Sequence, residues 1–167
     1  CTNITAQVIG ISDPNFFELV SNAMINSTIK KIFLIHSLDG MDELSNTSRN
    51  IMFIVKSGKV EKHEVDPELL DLKIVGKDQV QIKSAEDSVK TTLQTIYGKS
   101  TPAKQDIVAL NAAVALIAGE KTTDLNDGIK IARELVKSEV PRNRLRELIS
   151  SYGNIQKLDL IEKKFSL

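Results

Sequence analysis

One cysteine, Cys1, is all the thiol chemistry these 167 residues hold, so no disulfide can form within the chain. Stability must come from packing, and the compartment this suits is a reducing one, the cytoplasm. Neither sign of charge is in excess: 22 basic residues balance 22 acidic ones. Such a chain has no positive field to hold nucleic acid or anionic lipid. Its one local basic run, Arg142, Arg144 and Arg146, reads as a solvated helix face. Long hydrophobic runs are also missing. The longest, residues 107–118, is interrupted by Asn111 and falls well short of the ~20 residues that span a bilayer. No signal peptide is visible. Neither nucleic acid nor a membrane is therefore an expected partner.

The usual catalytic signatures are absent as well. Two histidines, His36 and His63, lie too far apart in pattern to suggest zinc. There is no Gly-rich phosphate loop, no G-x-S-x-G and no dinucleotide fingerprint. No internal repeat or low-complexity stretch appears. The first residue is not Met, and a strand-like segment follows almost at once. The expectation is that an N-terminal part is missing from the chain.

What is present reads as one α/β domain. Residues 6–11 (AQVIGI) form a short buried strand. Asp13-Pro14 then gives an N-cap with proline in the first helical position, and Phe17, Val20 and Met24 recur at helical spacing over 14–26. Ile32-Phe33-Leu34-Ile35 is a continuous apolar run, as in a strand covered on both faces. Strand, helix and strand make a βαβ unit with parallel strands, so a mostly parallel sheet with flanking helices is expected. Ser57-Gly58 between 51–56 and 59–65 predicts a hairpin whose polar second arm is an exposed edge. Residues 66–83 read as a connector. From Ser84 the pattern is helical: one face of Val89, Leu93, Ile96 and Tyr97 stopped by Gly98, a central apolar helix after Thr101-Pro102, and a third stripe of Leu125, Ile129, Ala132 and Val136. Pro141 breaks this pattern, and a short final helix should end near Ser151. Asn111, in the apolar helix, must satisfy its amide on neighbouring backbone.

The loop after the second strand, Ser37-Leu38-Asp39-Gly40-Met41-Asp42-Glu43, lies at the carboxyl end of a parallel strand. Open α/β sheets bind ligands there. Magnesium takes one or two carboxylates together with waters and substrate phosphates. Adjacent Asp42 and Glu43 point in different directions from an extended backbone and could serve two separate magnesium ions bridged by a diphosphate, with Gly40 permitting the tight turn. A solvated acidic loop is the plainer reading of the same residues. His36, ending the strand, reads as a hydrogen-bonded packing residue.

These segments carry a resemblance. Ile35-His36-Ser37-Leu38-Asp39-Gly40-Met41-Asp42-Glu43-Leu44-Ser45 resembles the V-H-G-x-D-G-L-D-E-x-S segment of anthranilate phosphoribosyltransferases. Leu110-Asn111-Ala112-Ala113-Val114-Ala115-Leu116 resembles that family's L-N-A-A-x-A-L helix, and Gln7-Val8-Ile9-Gly10-Ile11 its strand after a G-P-L-x-N-P turn. The resemblance covers essentially the whole chain. It departs at Ser37 for Gly, Met41 for Leu, Asp71 for Gly, and in the lack of a Gly across 45–48.

The resemblance implies the catalytic domain shared by phosphoribosyltransferases and nucleoside phosphorylases, with residues 1–167 as its C-terminal portion. It implies that Asp42 and Glu43 bind magnesium (Mg2+) on phosphoribosyl pyrophosphate. It implies transfer of phosphoribose to anthranilate in tryptophan biosynthesis, by an intact enzyme that dimerises through an N-terminal helical domain. The family's G-T-G-G-D loop, which cradles the pyrophosphate, has no counterpart in these residues. Two alternatives stand beside this reading: a pyrimidine nucleoside phosphorylase, and a non-catalytic remnant or interaction module of the same fold. Assayed alone with anthranilate, phosphoribosyl pyrophosphate and magnesium, the 167-residue chain is expected to give no turnover. Sustained product formation by the pure chain contradicts that expectation.

Overall fold

The computed structural model describes residues 4–167. Four strands form one sheet in the order β1 (Ala6–Gly10), β2 (Lys31–Ser37), β3 (Asn50–Lys56) and β4 (Lys59–Val65). As the sequence predicts, β1 and β2 are parallel neighbours, with Val8 opposite Phe33. The link is a 3-10 turn, Pro14–Phe16, and helix α1 (Phe17–Ile25), and the Asp13 side chain accepts from the Asn15 N–H to cap the turn.

The α/β class holds, but the parallel share is smaller than expected: β2–β3 and β3–β4 are both antiparallel. Two connections decide this. Residues 38–49 turn the chain back without a crossover helix, and parallel strands need such a crossover. Ser57 and Gly58 then take φ of +52° and +73°, the twist of a two-residue hairpin turn. The β4 arm is exposed along its length up to buried Val65, as its polar sequence predicts.

Both faces of β2 are covered. Ile32 and Leu34 face α1 through Phe17. Phe33 and Ile35 face helices α3 (Pro102–Ala118) and α4 (Leu125–Lys137) through Leu110, Ala113, Val114 and Ile129. This two-sided burial is the reason the strand reads as an unbroken apolar run. Helix α3 begins at the Thr101 cap and runs through the core as expected.

Helix α2 (Ala85–Ile96) begins where Ser84 accepts from the Asp87 N–H and ends at Gly98, φ +67°. Beyond α4 lie α5 (Val140–Tyr152) and α6 (Ile155–Phe165), joined through Gly153-Asn154. Helix α6 corrects the expectation that the last helix ends near Ser151. Its signals are local: the Asn154 side chain caps the Lys157 N–H at 2.9 Å, and Leu158 is buried.

The basic run is also corrected. Only Arg144, paired with Glu147, is a solvated helix charge. Arg146 donates to Glu162 at 2.6 Å and to Asp159 at 2.7 Å. Arg142 stacks 4.8 Å over the Tyr97 ring, and the Tyr97 hydroxyl donates to Glu162 at 2.5 Å. Glu162, only 8% exposed, therefore ties α2, α5 and α6 together. Burial pushes its carboxyl up, but the Tyr97 hydroxyl and the Arg146 guanidinium outweigh that and hold it below the usual glutamate range. Burial, and then the Glu162 carboxylate, push Tyr97 up to about 12.

A lowered folded-state pKa stabilises the protein above the ordinary glutamate range. That contribution is lost as pH falls through the lowered value. Glu162→Gln is expected to cost about 1–3 kcal/mol near neutral pH and to flatten this part of the acid limb. Urea unfolding of both proteins between pH 7 and pH 3 checks it; parallel pH profiles would show that Glu162 carries no such role.

Candidate functional site

The loop leaves β2 at Ser37 and closes on itself at once. The Ser37 N–H donates to the Met41 carbonyl at 2.9 Å, and the Gly40 N–H to the Ser37 carbonyl at 2.9 Å. Gly40 has φ +97°, a conformation glycine adopts without steric cost. Ser37 and residues 45–48, where the family pattern has glycines, lie outside the left-handed region, so these departures leave the backbone unstrained. Asp71 does take φ +53° at the end of a 3-10 turn, a conformation that glycine favours and that Asp tolerates better than most.

Asp39 is committed to the loop. Its carboxylate accepts from the Met41 N–H at 3.2 Å, from the Ser45 hydroxyl at 3.0 Å and from the Thr47 hydroxyl. Burial raises this carboxyl, yet the Thr47 hydroxyl, the nearby Ser37 hydroxyl, the Met41 amide and the Ser45 hydroxyl together hold it below the usual range. Lys77 donates to its backbone carbonyl at 2.8 Å.

Asp42 and Glu43 are different: both are exposed. The next three residues, Leu44, Ser45 and Asn46, are fully buried at 0% exposure. Leu44 sits in the core between β2 and α3. The two carboxylates thus stand at the edge of a rigid segment. They share a cleft of about 350 Å³ with Val8, Gly10, Ile35 and Asn111.

Three asparagines hold that segment. Asn50 accepts from the Ser45 N–H at 2.6 Å and donates to the carbonyls of Ser45, Ser48 and Val65. Asn46 donates to the Ala103 carbonyl at 2.9 Å. Asn111 accepts from the Leu44 N–H at 3.0 Å and donates to the Leu44 carbonyl at 2.7 Å. The sequence singles out Asn111 alone, as a polar residue in an apolar helix. Asn46 and Asn50 have no such contrast around them and are not singled out.

His36 behaves as expected of a packing residue. Its Nδ1–H donates to the Ile11 carbonyl at 2.7 Å, and its ring meets Phe17 edge-on. Among the described residues no group of three or more His, Cys, Asp or Glu side chains is placed to hold a metal ion. No described helix is long and apolar enough to cross a membrane.

The sequence model of the glycosyl transferase family, a/b domain, matches residues 1–139. The chain belongs to that family. A curated anthranilate phosphoribosyltransferase from Petrotoga mobilis is 32% identical over 147 residues, which is 88% of this chain and 42% of the relative. Among solved structures, the anthranilate phosphoribosyltransferase of Thermus thermophilus superposes with a TM-score of 0.71 at 22% identity, covering 84% of this chain and 41% of that one. The Saccharomyces cerevisiae enzyme in complex with PRPP and Mg gives 0.75 at 16% identity, covering 89% and 42%. At those identities the superpositions speak for the fold. The chain spans less than half the length of each of these relatives.

The Asp39 cluster generates a test. Asp39→Asn cannot serve as the same all-acceptor hub, and the change is expected to cost about 1–2 kcal/mol. The Asp39 contribution is complete above the ordinary aspartate value of ~3.9 and is lost as pH falls below it. Amide exchange at Met41 and Thr47 reads it out. Unchanged exchange in the variant would remove Asp39 from its role in holding the loop.

Proposed function

We propose that this chain carries the magnesium carboxylates, Asp42 and Glu43, of an anthranilate phosphoribosyltransferase. One observation supports the reading above others. The acidic pair is exposed on a rigid loop at the carboxyl end of β2, within a family whose relatives bear that name. The yeast relative's complex with PRPP and Mg supplies the ligand chemistry.

The donor set suits the ion. Two carboxylates offer hard oxygen ligands, with no cysteine among the described residues and with His36 engaged at Ile11. They are too few to complete an octahedral shell, so the remaining positions fall to water and diphosphate oxygens. When bound, magnesium would neutralise and orient the leaving diphosphate.

In the reaction the anthranilate nitrogen bonds to the anomeric carbon of phosphoribose. The bond from that carbon to the diphosphate oxygen breaks, and the amine loses a proton. The sugar carries positive charge between bond-breaking and bond-making, so positioning and electrostatics dominate. On this reading the chain contributes the metal side of the site, as the C-terminal portion of the α/β domain. The diphosphate-cradling loop, the anthranilate-contacting residues and the dimerising helical domain belong to sequence outside these 167 residues. The setting is tryptophan biosynthesis in the cytoplasm.

Asp42→Asn with Glu43→Gln keeps shape and removes charge. The two changes should leave folding nearly unaltered, since both side chains are exposed. In the protein that joins this chain to its diphosphate-cradling half, calorimetry of phosphoribosyl pyrophosphate binding against magnesium concentration is the test. The double variant is expected to lose the magnesium dependence, with at least about tenfold weaker binding, or ~1.4 kcal/mol. If that dependence survives both changes, the carboxylates are ordinary surface charges.

A further inference from the structure

Among the described residues, neither carboxylate of the acidic pair has a hydrogen-bond partner to fix it. What fixes it is backbone on either side. Leu44, directly after Glu43, has its N–H and its carbonyl bound by one carboxamide, that of Asn111, at 3.0 and 2.7 Å. A third bond, from Asn111 to the Ile107 carbonyl at 2.9 Å, sets the orientation of that carboxamide. Asn111 reaches across 67 residues of sequence from α3, the helix that the core is built around. Its amide satisfies three backbone groups, which is more than an apolar helix needs to bury one asparagine.

On the other side of the pair, Gly10 at the end of β1 lies under Asp42. A Cβ on Gly10 would stand 2.0 Å from the Asp42 carbonyl oxygen. That is far inside contact distance and the obstacle is backbone, so any side chain there must displace Asp42. Gly10 is extended backbone outside the left-handed region. Close approach, and no demand for unusual φ, is therefore what calls for glycine here.

We infer that Asn111 and Gly10 are positioning residues for the acidic pair: Asn111 holds the peptide after Glu43, Gly10 admits the peptide of Asp42, and together they aim both carboxylates into one cleft. This rests on the reading of Asp42 and Glu43 as metal ligands. Neither residue is itself a ligand. Asn111 acts through Leu44, and Gly10 acts by having no side chain. A pair held this way keeps its spacing before any metal arrives, so less order has to be created on binding.

Manganese(II) alone, added to the 167-residue chain, is the probe, and paramagnetic broadening of backbone amides is the readout. In the unaltered chain the broadening should centre on residues 41–44 with millimolar-range affinity, as expected of two carboxylates. Asp42→Asn with Glu43→Gln should abolish it. Asn111→Asp keeps the volume and one of the three bonds. Asn111→Ser is smaller and keeps none of the geometry. Each, like Gly10→Ala, should weaken manganese binding about fivefold or more. Tyr97→Phe is the control: it disturbs the α2–α6 contact elsewhere in the fold and should leave manganese affinity unchanged, whatever it does to the melting temperature.

The outcomes separate. If the unaltered chain shows no localised broadening, or the double carboxylate variant keeps it, the pair is not held ready for metal and this inference is overturned, while calorimetry with phosphoribosyl pyrophosphate decides the carboxylate reading separately. If the double variant loses manganese while the folded Asn111 and Gly10 variants bind as the unaltered chain does, the carboxylate reading stands and the positioning role is overturned. Equal loss in Tyr97→Phe would assign the effect to general destabilisation and overturn the role in the same way.

Discussion

Strand β2 has no face left for water. Ile32, Phe33 and Leu34 are at 0% exposure and alternate between the α1 side and the α3 side. Each side chain taken from water there contributes roughly 1.5–3 kcal/mol, and none could be gained without a helix on each face. The rest follows from that demand. The helix from Asp13 must cross one face to bring β1 alongside, and α3 must lie across the other. The chain leaving β2 then emerges between the layers, where its loop is supported on both sides.

Support of that kind separates two classes of carboxylate in one short loop. Asp39 turns inward and commits its oxygens to Met41, Ser45 and Thr47. Asp42 and Glu43 face solvent beside a backbone that cannot drift, because Leu44 is in the core. Adjacency and the family resemblance set Asp42 and Glu43 apart in the sequence, but nothing there showed where Asp39 spends its oxygens. Their roles diverge because the turn at Gly40 points Asp39 back at the hydroxyls that follow it. Charge count would not have told them apart; the placement of Ser45 and Thr47 does.

Much of the fold was legible because its signals are local. The Asp13-Pro14 start, the Ser57-Gly58 turn, the Ser84 and Thr101 caps and the Gly98 stop all act within a few residues of themselves. The fold class and the position of the loop follow from these. The parts that were not legible depend on distance. Arg146 looked solvated because its partners, Asp159 and Glu162, sit on a helix beyond a glycine, and that helix was itself missed. Asn46 finds Ala103 from 57 residues away, and Gly10 is constrained by Asp42, 32 positions later. Nothing periodic marks such meetings. Asn111 was the exception, since a lone amide in an apolar helix announces an unmet need even when its partner is unknown.

The two margins of the sheet are built on different terms. At β4 the outermost strand reads Lys59-Val60-Glu61-Lys62-His63-Glu64-Val65, with charges of both signs along exposed backbone. Charged outermost strands resist pairing with a stranger, because a like strand brings like charges or buries them unpaired. At β1 the outermost strand is Ala6-Gln7-Val8-Ile9-Gly10, without a single charge. Among the described residues, then, one margin is insulated and the other is written in the neutral, apolar language of an interior strand. A sheet so made is guarded against edge-to-edge pairing by charge at one margin, while the other carries no such guard in its five residues.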